Sequence, residues 1–136
     1  MIIGPVRALP AGKVTFVFTD IEESTRLFHR VGDRYPLLLE RHRRILRDAW
    51  AAHGGAEVRT EGDAFFVAFG DASAALAACA AGQAALSAEP WPEDAVIRVR
   101  IGVHSGLAYP HDGDYVAYAV HPVSYTHLTL PTTERV

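Results

Sequence analysis

The chain of 136 residues has one cysteine, Cys79, and one lysine, Lys13. A lone thiol excludes an internal disulfide, and a chain this size buries roughly two thirds of its unfolded surface, so it needs no covalent or metal staple. Cysteine scarcity fits a reducing, cytoplasmic compartment. A basic excess is also missing. The net charge is −3 and the pI near 6.1, unlike the clustered positive footprint of a nucleic-acid-binding domain. No span reaches the ~20 strongly apolar residues that a bilayer requires. The N-terminal apolar run is broken by Pro5 and Arg7, too short for a signal-peptide core, and the uncharged span 72–88 is mostly alanine with Ser73, Gly82 and Gln83 inside it. It reads as a buried helix, so neither a nucleic-acid partner nor a membrane segment is expected. With 49% hydrophobic and 21% charged residues, one compact globular domain is expected.

Lys13 to Thr19 are β-branched or aromatic at nearly every position, which predicts a strand buried on both faces and ended by Asp20. A short helical pattern through Leu27, Phe28 and Val31 stops at Gly32, a residue suited to a left-handed cap. Asp33 restarts a helix with Pro36 in its first turn, running to about His53. Its apolar face carries Leu38, Leu39, His42, Ile45, Leu46 and Ala49; the opposite face carries Glu40, Arg41, Arg43, Arg44, Arg47 and Asp48. The arginines read as a solvated face with Glu40–Arg44 and Arg44–Asp48 pairs, a phosphate-binding role being the alternative. His42 is expected to be packed.

Residues 57–60 and 64–69 predict two strands of a tight hairpin joined by Glu61-Gly62. Asp71 is expected to cap a helix to about Ser87, with Leu76, Cys79, Gln83 and Leu86 on its buried side and Cys79 as a core residue. A strand over 96–103 and a hairpin over 107–120, turning at His111-Asp112-Gly113, follow. This order predicts an α+β sandwich, mostly antiparallel, with helices on one face.

Two carboxylates stand beside hydrophobic strands, Asp20 in Phe18-Thr19-Asp20-Ile21-Glu22 and Asp63 in Glu61-Gly62-Asp63. If the first strand pairs beside the hairpin, the two converge. Mg²⁺ prefers hard oxygen ligands and keeps waters and phosphate oxygens around one or two carboxylates, and a helix start after Asp20 offers backbone N–H groups to a phosphate. Metal plus helix start suggests a nucleoside triphosphate. The same residues also fit a plainer reading, with Asp20 and Glu23 as a capping box and 61–63 as an ordinary turn.

Val14–Glu22 with Ser24-Thr25, then Arg59–Phe66, then Arg100–Gly106, then Gly113–Val116, resemble in order and spacing the class III adenylate/guanylate cyclase catalytic domain, bacterial type. The resemblance spans 13–121, with 1–12 as an N-terminal extension. It implies a ferredoxin-like core, incomplete at the C-terminus, and an antiparallel homodimer with equivalent sites between chains. The implied reaction turns ATP, or GTP, into a 3′,5′-cyclic nucleotide and pyrophosphate with two Mg²⁺ or Mn²⁺ ions per active site.

The resemblance further implies that Asp20, Asp63 and the Ile21 carbonyl hold the ions. Glu22, Glu23, Ser24 and Thr25 would receive the triphosphate; Arg59 and Asp114 would read the base, Asp114 fitting a turn equally well. Arg59 stands where adenylate-selective relatives carry lysine, and it can donate to adenine N1 or guanine O6. His121 stands where many members place an asparagine near the ribose. Tyr125 replaces an arginine that stabilises the reacting phosphate, a loss typically worth about 10²–10³ in rate, so the chain itself is expected to be weak or inactive. Residues 122–136 match no family pattern and read as a foreign tail on a truncated domain. The alternative is a non-catalytic cyclase-homology module that binds nucleotide or a partner and regulates fused domains. A diguanylate cyclase is disfavoured because the hairpin reads Thr60-Glu61-Gly62-Asp63-Ala64-Phe65.

Overall fold

The computed structural model describes residues 8–116. The elements in order are β1 (Gly12–Ile21), α1 (Ser24–Val31), a 3-10 turn (Gly32–Arg34), α2 (Tyr35–Ala52), β2 (Ala56–Glu61), β3 (Ala64–Phe69), α3 (Ala72–Ala88), β4 (Val99–His111) and β5 (Asp114–Val116). The sheet runs β2-β3-β1-β4-β5, every neighbouring pair antiparallel. A β-α-β-β-α-β succession with β1 between β3 and β4 is the ferredoxin-like arrangement.

β1 is central because its alternating side chains suit two buried faces. Val17 and Ile21 enter the main core with Leu38, Leu46 and Trp50 of α2, Phe65, Val67 and Phe69 of β3, and Cys79 and Leu86 of α3. Val14 and Phe16 enter a second cluster on the other side, with Phe66 and Ala108. The helices therefore lie on one face, as expected. Cys79 is core, its thiol pushed up to about 12 by burial, and Asp71 caps α3 by accepting the Ala74 N–H at 3.0 Å.

Several expectations are corrected. β1 does not end at Asp20: its ladder with β4 continues to Ile21 opposite Val99. No Asp20 capping box forms, because the residue preceding α1 is Glu23, at φ 51 and with no side-chain cap bond. The hairpin turn is Gly62-Asp63 rather than Glu61-Gly62, since Glu61 pairs with Ala64 and Gly62 takes φ 57. Leu76 is 46% exposed, because α3 turns a small-residue face of Ala75, Ala78 and Gly82 inward. That face lets α2 come close: a Cβ on Gly82 would meet Leu46 Cδ2 at 2.9 Å.

The α2 arginines pair with other elements rather than along the helix. Arg41 reaches Glu89 and the Pro90 carbonyl, Arg47 reaches Glu57, and Arg43 donates to the Gly62 carbonyl. Residues 96–98 are not strand, and β4 runs unbroken through Gly106 to His111. It turns at Asp112-Gly113, both at positive φ, the conformation an Asp-Gly hairpin turn favours. Beyond it Tyr115 packs edge-on against Phe16 at 4.9 Å and donates its hydroxyl to the Pro10 carbonyl at 2.8 Å, so β5 folds back over the face opposite the helices. Among the described residues no helix is long and apolar enough to cross a membrane.

Candidate functional site

The end of β1, the start of α1, the β2–β3 turn and the start of β4 enclose a cleft of about 510 Å³, lined by Asp20, Ile21, Glu23, Ser24, Thr25, Arg26, Asp63 and Arg100. Asp63 belongs to it through the hairpin: β3 pairs with β1, so the two-residue turn brings its carboxylate beside the end of β1. There Asp63 Oδ2 accepts the Ile21 N–H at 2.9 Å. Arg43, donating to the carbonyl of Gly62, ties the same turn to α2.

Asp20 is held differently. It sits opposite Arg100 in the β1–β4 register, and the guanidinium straddles it, Nε to Oδ1 at 2.8 Å and Nη2 to Oδ2 at 2.9 Å. Fork-to-carboxylate pairing of this kind is directional as well as charged. The hydrogen bonds to Asp20 also raise the Arg100 pKa above its ordinary value.

A second pair occupies the β5 side. Arg59 Nη1 lies 2.5 Å from Asp114 Oδ2, and the Arg59 guanidinium stacks 4.6 Å above the Phe66 ring. A register shift in β2 between Glu57 and Arg59 is what a bulge produces, re-aiming one side chain. β2 and β5 are at opposite ends of the sheet order; the folding back of β5 brings Asp114 to Arg59.

Of the residues expected from sequence, Asp20, Ile21, Glu23, Ser24, Thr25 and Asp63 come together in the cleft. Glu22 directs its backbone N–H to the Arg98 carbonyl at 2.8 Å and is not among the lining residues. Arg59 and Asp114 pair with each other apart from that lining. His121 and Tyr125 lie outside the described residues, as do 1–7 and 117–136 as a whole. Arg26 and Arg100 were missed. The alternation of Arg98 and Arg100 with Val99 and Ile101 signalled a solvent-side arginine, but not that Asp20 would face it.

Among the described residues no cluster of three or more His, Cys, Asp or Glu forms. Two carboxylates, a main-chain segment and the hydroxyl residues Ser24 and Thr25 around one open cleft nonetheless fit a hard cation that keeps water and phosphate ligands. A helix start in the same cleft suits an anion.

Comparison with known proteins follows the same residues. The family model for the adenylate and guanylate cyclase catalytic domain matches residues 6–111. An adenylate cyclase of Lachancea kluyveri is 36% identical over 125 residues, 78% of this chain and 7% of that enzyme. An uncharacterised protein of Mycobacterium tuberculosis is 37% identical over 112 residues, 81% of this chain and 37% of the relative. The chain thus spans a small part of these relatives, and their fungal and mycobacterial sources do not assign the bacterial type. Among solved structures, an adenylate cyclase from Trypanosoma brucei in its monomeric state superposes with a TM-score of 0.77 at 25% identity, covering 85% of this chain and 68% of that one.

Proposed function

The chain belongs to the adenylate and guanylate cyclase catalytic domain family, and from that premise we propose that it forms a 3′,5′-cyclic nucleotide and pyrophosphate from ATP or GTP. The observation that carries the reading is the convergence of Asp20 and Asp63 on one cleft, joined through the Ile21 N–H. In the reaction the ribose 3′-oxygen bonds to the α-phosphorus, the bond from that phosphorus to the β-phosphate oxygen breaks, and the hydroxyl proton leaves.

Asp20, Asp63 and the Ile21 carbonyl would hold two Mg²⁺ or Mn²⁺ ions. Bound there, such ions lower the pKa of a coordinated hydroxyl and neutralise the leaving pyrophosphate. The chain's own part is positional. The start of α1, at Glu23, Ser24 and Thr25, offers main-chain N–H groups to the triphosphate, while Glu22, whose own N–H is taken by the Arg98 carbonyl, leads the chain into that turn, and Arg100 in the same cleft supplies a paired donor for phosphate oxygens. Arg59 and Asp114 form a donor–acceptor pair beside the Phe66 ring that suits the edge of a purine, Asp114 accepting from an exocyclic amine and Arg59 donating to a ring acceptor. His121 is assigned to the ribose. A homodimer, each chain supplying one half of two equivalent sites, and a cytoplasmic location complete the reading.

The test is mass-spectrometric detection of cyclic AMP and cyclic GMP after incubating the purified chain with ATP or GTP and Mn²⁺. Product that disappears in Asp63→Asn supports a cyclase and identifies the base. One observation favours the alternative of a non-catalytic regulatory module: Asp20 already has both oxygens on Arg100. Nucleotide-dependent dimerisation without product would select it.

A further inference from the structure

We propose that Arg100 is the built-in competitor of the divalent cation for Asp20, so that the free chain binds the cation at this carboxylate more weakly until the guanidinium is drawn away. This rests on the reading of Asp20 and Asp63 as cation ligands. The geometry is specific. Arg100 takes both Asp20 oxygens at 2.8 and 2.9 Å, and the two residues are cross-strand partners in the β1–β4 ladder. The pairing is therefore set by the backbone of the two long central strands rather than by a chance meeting of surface side chains.

A guanidinium has five donors and no acceptor, and it stays charged throughout the accessible pH range. It cannot join a cation's coordination shell, and a divalent ion placed on Asp20 would stand against its charge. Occupancy by one therefore opposes occupancy by the other. The pair is also exchangeable, since the Asp20 and Arg100 side chains are 43% and 55% exposed and exposed pairs are held weakly. Asp63 is in a different position, its Oδ2 engaged by an uncharged backbone N–H. The two carboxylates are thus unequal: in the free chain Asp63 is open to a cation and Asp20 is guarded.

The cation alone provides the test. Mn²⁺ is titrated into the full chain and free Mn²⁺ is followed by its electron paramagnetic resonance signal, in wild type and in Arg100→Gln, Arg100→Lys, Arg98→Gln and Asp63→Asn. Arg100→Gln is expected to bind Mn²⁺ roughly 3- to 5-fold more tightly than wild type, the upper end of what an exposed ion pair supplies. Arg100→Lys, which keeps the charge and loses the fork, is expected to fall between. Arg98, exposed and two residues earlier in the chain, controls for the general field, and Arg98→Gln is expected to stay within about 2-fold of wild type. Unchanged or weaker binding in Arg100→Gln, with circular dichroism showing a folded chain, overturns the proposal. So does an equal gain in Arg98→Gln, which would make the effect one of net charge. If wild type, Arg100→Gln and Asp63→Asn all bind equally weakly, the assignment of the carboxylates to a cation fails as well.

Discussion

Asp63 Oδ2 accepts the backbone N–H of Ile21 at 2.9 Å, across a sequence separation of 42 residues. The bond joins a hairpin turn to the end of the central strand, and it lets the structural and chemical duties of Asp63 be separated. An asparagine there keeps a carbonyl oxygen for the Ile21 N–H and loses the charge. Asp63→Asn is expected to change unfolding stability by at most about 1 kcal/mol. It is also expected to lower any Mn²⁺-dependent cyclic-nucleotide formation by at least about 100-fold, a size typical for losing a transition-state charge partner. Urea denaturation and mass-spectrometric product assay check the two halves. Loss of turnover together with loss of folding would mean that Asp63 is only a structural clasp.

His42 is fully buried under Phe65 and donates Nδ1–H to the Leu39 carbonyl at 3.2 Å, while its Nε2 has no hydrogen-bond partner. Burial dominates the charges of Asp63, Arg43 and Arg47 around it and lowers its pKa from 6.5 to about 4. The unfolded chain therefore takes up a proton near pH 6.5 that the folded chain refuses until about pH 4. The His42 contribution is complete above pH 6.5, is lost as the pH falls to about 4, and is flat below. The shift corresponds to about 3 kcal/mol. His42→Gln, which keeps a donor and never titrates, is expected to flatten that part of the stability profile, as measured by urea denaturation across pH 4–7.

Gly55 accepts no side chain. A Cβ there would lie 2.6 Å from Cζ and 2.9 Å from Cε2 of the fully buried Phe69. Gly55→Ala is expected to cost about 1–3 kcal/mol through forced displacement of a packed ring. Equilibrium unfolding reads it directly, and a variant as stable as wild type would show that the α2–β2 junction yields without strain.

The Arg59–Asp114 pair is half-exposed on both sides, so its contribution to folding is expected to stay below about 1 kcal/mol. As part of a purine-reading site its weight should fall on the nucleotide. Asp114→Ala is expected to raise the KM for the preferred nucleotide about 10-fold, the factor for one lost charge-assisted hydrogen bond. It should also narrow the ATP-to-GTP ratio, with little change in melting temperature. A variant with unchanged KM for both would return Asp114 to a turn role.

Much of the fold was legible because it rests on local rules. The β-branched run of β1, the two-sided pattern of α2, the Asp71 cap and the Asp112-Gly113 turn each follow from neighbouring residues. What misled was equally physical. An aspartate before a helix satisfies a cap rule as well as a strand rule, and the ladder with β4 selected the strand. An alanine-rich helix has little contrast between its faces, so the inward direction of α3, with Leu76 outside, was settled by how closely α2 could approach.

The sequence by itself determined the element order as far as α3, the two strand-flanking carboxylates and the motif spacing of the cyclase family, because these depend on side-chain type and short-range periodicity. Only the tertiary structure decided that Arg100 faces Asp20, that Arg43 holds the turn bearing Asp63, and that Arg59 meets Asp114 from the opposite edge of the sheet. Those pairings depend on strand register and on how α2 and β5 pack against the sheet, which are set by the assembled fold and leave no mark in any short stretch of the chain.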